Sequence, residues 1–249
     1  MIIRLLATLC IIFNIITSPV WAQGIKTGSY IMQSSANEIL GDDLAASYAN
    51  LIDLDLDITW EIDVPEDYDP TNPPGIMVYI SPQNIVKLPT GWLGVTREKN
   101  MIFIAARMSG NKEPVNQRIV MAILSLPLIQ STYKIDTNRI YISGFSGGGR
   151  IASMVATSFP HIFNGALYNC GVNFWHQISP EQRELIKNNN YVFLTGSNDF
   201  NLQDTKKVYS KYKKTGVKNI KLMVIARMSH SNPKKNKFSQ ALDFLDQNG

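Results

Sequence analysis

The chain contains three histidines, His161, His176 and His230, so the search for a general base is short. The side chain that most needs one is Ser146. It stands in Gly144-Phe145-Ser146-Gly147-Gly148, where an apolar run from Arg139 breaks into glycines and then resumes with helical spacing towards Met154. Strand, sharp turn and helix are the expected geometry, with the hydroxyl at the tip of the turn. Glycines at such a turn let strand and helix close up around a residue held in an unfavourable backbone conformation. They also leave amide N–H groups uncovered for a developing oxyanion. A serine hydroxyl is a weak nucleophile until a base takes its proton and a carboxylate orients that base. Such a set performs attack on a carbonyl carbon through a covalent intermediate.

In parallel sheets the working loops follow the carboxyl ends of strands, and for this kind of elbow the acid and then the histidine follow the serine in chain order. Tyr191 to Thr195 reads as a strand and places Asp199 in the loop after it. Ile220 to Ile225 reads as the next strand and places His230 in its loop. Asp199 and His230 are therefore the expected orienter and base. Asp204 is the rival acid and His176 the rival base, while Phe159-Pro160-His161 looks like a surface turn after a helix.

The rest of the chain supplies the framework. Ile76 to Ile80 and Met101 to Ala106 are short, continuously apolar runs, as strands covered on both faces are. Gly165 to Asn169 is a further strand. Val115 to Gln130, Pro180 to Asn188, Asp204 to Thr215 and Phe238 to Asp246 carry helical spacing, with Pro127 expected to end or kink the first of them. Strands alternating with helices at these intervals predict an α/β fold with a mostly parallel sheet in one domain, residues 23–249. Gly28 to Gln33 reads as a first strand. Asp53 to Val64 alternates strictly between apolar and polar residues, as an antiparallel edge strand with one wet face would. Its Asp53-x-Asp55-x-Asp57 run resembles a calcium loop, but Ile58 stands where that loop needs Gly and Val64 where it needs Glu. No metal or cofactor site follows from the sequence.

Residues 1–22 have a basic start at Arg4, an apolar stretch from Leu5 to Ile16, and Val20 and Ala22 as small residues before a cleavage point. They read as a signal peptide, hence an exported protein, periplasmic or secreted, with no membrane span after cleavage. Of the two cysteines, Cys10 leaves with that leader and Cys170 remains, a buried thiol at the end of an apolar run. The formal charge of +4 is unevenly spread: Glu38 to Asp69 holds acids and no Lys or Arg, and Lys206 to Lys237 holds bases and no acid. Only Tyr209 and Tyr212 interleave with those lysines, which argues against nucleic acid and for solvated faces.

Gly-Phe-Ser-Gly-Gly-Gly-Arg at 144–150, Thr-Gly-Ser-Asn-Asp-Phe at 195–200 and Met-Ser-His-Ser-Asn-Pro at 228–233 together resemble the α/β-hydrolase superfamily. Within it they are similar to the exported polyhydroxybutyrate depolymerase-like and feruloyl esterase-like branch. The resemblance implies helices on both faces of the sheet, an antiparallel N-terminal edge, and a Ser146–Asp199–His230 triad acting through an acyl-enzyme, but names no substrate; hydrolysis of a small-molecule or polymeric ester is the expected reaction. A peptidase or acyltransferase on the same triad, or a binding protein that kept the fold, are the alternatives. Such enzymes usually carry His-Gly after the early parallel strand, where a backbone N–H forms half of the oxyanion hole; here Ser81-Pro82-Gln83 follows instead. Pro82 has no N–H, so the Gly147 N–H is expected as one donor, with the Gln83 N–H or the Ser81 hydroxyl as the other. Arg107, Phe174, Trp175 and His176 follow strand ends and are candidate pocket residues.

Overall fold

A computed structural model describes residues 25–175 and 178–247. The expected leader over residues 1–22 and the candidate pocket residue His176 lie outside the described residues. The strands are β1 (Gly28–Ser34), β2 (Ile58–Val64), β3 (Gly75–Ile80), β4 (Met101–Ala106), β5 (Ile140–Phe145), β6 (Gly165–Asn169), β7 (Asn190–Gly196) and β8 (Asn219–Ile225). They form an eight-stranded sheet in the order β1-β2-β4-β3-β5-β6-β7-β8. From β4 to β8 every neighbour pair is parallel. β1 and β2 close one side in antiparallel register, β2 pairing with β4.

The helices are α1 (Ala36–Leu40), α2 (Asp42–Ala45), α3 (Trp92–Glu98), α4 (Val115–Gln130), α5 (Gly147–Ser158), α6 (Pro180–Asn188), α7 (Leu202–Lys214) and α8 (Lys235–Asp246). The continuous apolar runs of β3 and β4 follow from cover on both faces, because alternate residues enter different cores. Ile76, Val78, Ile80, Ile102 and Ile104 pack with Val120 and Leu124 of α4 and with Ile151 and Val155 of α5. Met77, Tyr79, Met101 and Phe103 pack on the other face with Trp92 of α3 and Phe238 and Leu242 of α8. There the Trp92 and Phe238 rings stack 4.0 Å apart. Ser179 and Gln182 form a capping box that starts α6, with Pro180 in its first turn, where a missing N–H costs nothing.

Four expectations change. The alternating run from Asp53 becomes strand only at Ile58, because Asp53 folds the residues before it into a turn. Its carbonyl accepts from the Leu56 N–H and its carboxylate from the Asp55 N–H. Nor is β2 the edge: β1 lies outside it. Asp63, expected in water, is 1% exposed, and Arg97 of α3 meets it with two N–H groups at 2.5 and 2.9 Å. Pro127 does not end α4, which continues to Gln130. At the far side β8 is the outer strand of the sheet, its Lys221 ammonium 5.3 Å from the centre of the Phe244 ring. Among the described residues no helix is long and apolar enough to cross a membrane.

Candidate active site

β5 delivers its chain into Ser146, and α5 begins at the next residue. Ser146 has φ 56° and ψ −119°, a region that costs a residue bearing a Cβ about 1–3 kcal/mol and persists only where the surroundings enforce it. Here they do. The Ser146 N–H donates to the Asn169 carbonyl of β6 at 2.8 Å, and the backbone closes in on every side. A Cβ on Gly148 would come within 2.0 Å of the Ile80 carbonyl, and one on Gly171 within 2.1 Å of the Ser146 carbonyl. Glycine is required at both by close approach. The Gly147 N–H opens α5 as the first of its unpaired helical donors, beside the positive end of the helix dipole.

The loops after β7 and β8 are fastened together before they contribute side chains. The Ser197 N–H donates to Ile225, the Asn198 N–H to Met228, and the Arg227 N–H to the Ser197 hydroxyl. From this paired platform Asp199 and His230 reach Ser146. His230 Nδ1 lies 2.8 Å from Asp199 Oδ1 and His230 Nε2 lies 2.9 Å from Ser146 Oγ. An ionised carboxylate only accepts, so Nδ1 carries the proton and Nε2 is left to accept from the serine hydroxyl. Asp199 is 5% exposed. Burial by itself raises its pKa, but the Asn201 N–H, the Cys170 thiol, the Thr195 hydroxyl and His230 outweigh that and hold the carboxyl below its ordinary range.

Two aromatic rings that the sequence reading did not single out flank the imidazole. Phe200 stacks on His230 at 4.1 Å and is 77% exposed, while Phe145 lies 4.9 Å away. Their adjacency to the two motif residues was visible in the sequence; their placement over the imidazole was not. Asn201 ties the site to its neighbours: its N–H reaches Asp199, its amide donates to the Cys170 carbonyl, and its Oδ1 accepts from Arg150 of α5. Cys170, Asp199 and His230 place thiol, carboxylate and imidazole atoms within 4.8 Å of one another. That is the one cluster among the described residues with metal-ligand chemistry. Its carboxylate and imidazole are already bonded to each other, and burial pushes the Cys170 thiol upward in pKa, away from the thiolate a metal takes.

The remaining candidates have other partners. Ser81 is 2% exposed; its hydroxyl donates to the Ile85 carbonyl and accepts from the Gln83 N–H. Both donors expected for the oxyanion thus bond within their own loop. Arg107 pairs with Glu61 of β2 at 2.7 Å, so its charge is met away from Ser146. Phe174 and Trp175 stack on one another and meet Tyr212 of α7 edge-on, at 5.9 and 4.5 Å, as plugs over the core. His161 is exposed in the turn after α5, and Asp204 lies 4.0 Å from Arg150.

The sequence matches no protein-family model and no curated protein. Solved structures do match. S-formylglutathione hydrolase from Staphylococcus aureus superposes over 89% of this chain and 98% of its own, with a TM-score of 0.61 at 12% identity. A ferulic acid esterase does so over 88% and 100%, with a TM-score of 0.59 at 12% identity. This is the α/β-hydrolase fold. A Bacteroides ovatus protein described as a dipeptidyl aminopeptidase IV shares the α/β-hydrolase fold over 89% of this chain, with a TM-score of 0.60 at 15% identity; the match spans only 36% of that longer protein.

Proposed function

We propose that this protein is an exported serine hydrolase that cleaves carboxylic esters through an acyl-enzyme. The observation that carries the reading is the unbroken hydrogen-bond chain from Ser146 Oγ through the His230 ring to Asp199, mounted on a serine with φ 56°. Ser146 Oγ adds to the ester carbonyl carbon while His230 Nε2 takes its proton, and the carbonyl π pair moves onto oxygen beside the Gly147 N–H. When that pair returns, the C–O bond to the alcohol breaks and the imidazolium gives the alcohol its proton. Water then repeats the sequence on the acyl-enzyme and frees the acid and Ser146. Asp199, held as a carboxylate by its donors, keeps the imidazole in one tautomer throughout. The esterases with the same fold support this reading, and export rests on residues 1–22 of the sequence.

The test is turnover of short p-nitrophenyl esters by the mature protein, with Ser146→Ala abolishing it and a fluorophosphonate labelling Ser146. Absence of both turnover and label in folded protein sinks the proposal. An anilide series run in parallel separates ester from amide cleavage.

A further inference from the structure

The loops after β3 and β4 run side by side, and three of their backbone donors are turned to partners within the loops. Pro82 has none; the Gln83 N–H donates to Ser81 Oγ, the Gly110 N–H to Asn84 Oδ1 and the Asn111 N–H to the Pro82 carbonyl, each at 3.0 Å. One side chain from these loops lies against the elbow. A Cβ on Gly147 would meet only Asn111 side-chain atoms as its three nearest neighbours, at 2.0 Å from Oδ1 and 2.9 Å from Nδ2. At Gly144, Gly148, Gly149 and Gly171 the closest atoms are backbone. Gly147 alone in this set is fitted against a functional group.

The direction of that amide is set from behind. Arg118 of α4 is 4% exposed and has no salt bridge among the described residues. Its Nε donates to the Ser109 carbonyl at 2.7 Å, and Nη2 lies 3.5 Å from both the Ser81 carbonyl and Asn111 Oδ1. A guanidinium only donates, so the amide atom turned to it is the oxygen. Asn111 Nδ2, 2.9 Å from the Gly147 Cβ position where Oδ1 is at 2.0 Å, belongs to an exposed residue and has no hydrogen-bond acceptor among the described residues.

We infer that the Asn111 side-chain amide is the second oxyanion donor, in place of the Gln83 backbone N–H, which is bonded to Ser81 Oγ. The inference rests on the serine-hydrolase reading above. As Ser146 Oγ bonds to the carbonyl carbon, the oxygen takes up the π pair between the Gly147 N–H and Asn111 Nδ2–H, with the buried Arg118 charge behind the loop. A donor of this kind contributes mainly when the charge has formed, so its loss lowers kcat rather than raising KM.

The experiment compares wild type with Asn111→Ala and the same-shaped Asn111→Asp on a short p-nitrophenyl ester, with thermal unfolding as the check on folding. Removal of one such donor lowers kcat about 10²–10³-fold, and that is the expected loss in both variants, with KM within about threefold. Affinity for a trifluoromethyl ketone, which forms the tetrahedral oxyanion, should fall in proportion to kcat/KM, while a fluorophosphonate still labels Ser146 to completion. An active wild type beside an Asn111→Ala or Asn111→Asp variant of near-normal kcat overturns the assignment, as does unchanged ketone affinity. A wild type that neither turns over esters nor takes the fluorophosphonate is a different failure: it removes the serine-hydrolase reading, and this inference with it.

Discussion

Gly171→Ala offers the sharpest check on how the nucleophile is held. Gly171 follows Cys170 at the end of β6, and a methyl group there would sit 2.1 Å from the Ser146 carbonyl oxygen, 2.7 Å from its carbon and 3.0 Å from its Cα. Neither side yields freely. Ser146 is bonded to Asn169, the Cys170 N–H to Leu194, and the Cys170 carbonyl to the Asn201 amide, each at 2.8 Å. To reach an ordinary contact the two backbones must separate by about 1 Å, and a displacement of that size at a reacting atom costs on the order of 10²-fold in rate. Overpacking also costs about 1–3 kcal/mol, at roughly 2–4 °C of Tm per kcal/mol in a domain of this size. Steady-state kinetics on p-nitrophenyl acetate, read beside a melting curve, should therefore show kcat/KM down about 10²-fold in protein that still folds at 25 °C. A folded Gly171→Ala enzyme within threefold of wild type would refute the claim that the loop after β6 fixes the nucleophile.

Gly94→Ala should behave in the opposite way: its Cβ meets nothing within 4 Å in α3, so stability rises by about 0.5–1 kcal/mol, checked by urea denaturation, with kinetics unaltered. Asp199→Asn should lower kcat by about 10⁴-fold by favouring the wrong imidazole tautomer. Because the native Asp199 pKa is depressed, its stability contribution is present above the ordinary aspartate pKa of about 3.9 and is lost as pH falls below it; acid unfolding midpoints should shift less with pH in Asp199→Asn. Cys170, with its thiol pKa raised by burial and by Asp199, should resist iodoacetamide in native protein at pH 9 and react fully in urea. The unfolded thiol ionises near pH 8.5 while the native one stays protonated, so this contribution falls as pH rises past that point. Phe200→Ala removes a stacked ring worth about 0.5–1.5 kcal/mol, and kcat/KM should drop about two- to tenfold if the ring steadies the imidazole.

What could be read from the sequence follows from how local each signal is. β3, β4 and β5 announce themselves because strands covered on both faces must be apolar throughout, and the elbow because its glycines are packed into a few residues. The positions of Asp199 and His230 just past two strands were legible; the structure adds 2.8 Å between those two side chains and 2.9 Å from His230 to Ser146. α3 was hidden because Gly94 and Thr96 dilute its helical pattern, and its burial is dictated by partners as distant as Phe238. The start of β2 was misplaced because a turn held by the Asp53 carboxylate keeps the same alternation as a strand. The partners of Ser81, Gln83 and Asn111 were out of reach altogether. They depend on two loops, separated by an entire strand and helix, that the parallel pairing of β3 with β4 brings together. Arg118 shows the same limit: a charged residue in α4 gives no local hint that it lies buried beneath those loops.

β8 leaves a row of backbone N–H and C=O groups open at one end of the sheet, in a stretch, Asn-Ile-Lys-Leu-Met-Val-Ile, apolar enough to template a strand from another molecule. Lys221, its third residue, interrupts it, its ammonium lying over the Phe244 ring. An added strand would have to cover or displace that charge. The lysine thus sets a charge in the path of any chain that would extend the sheet on this side.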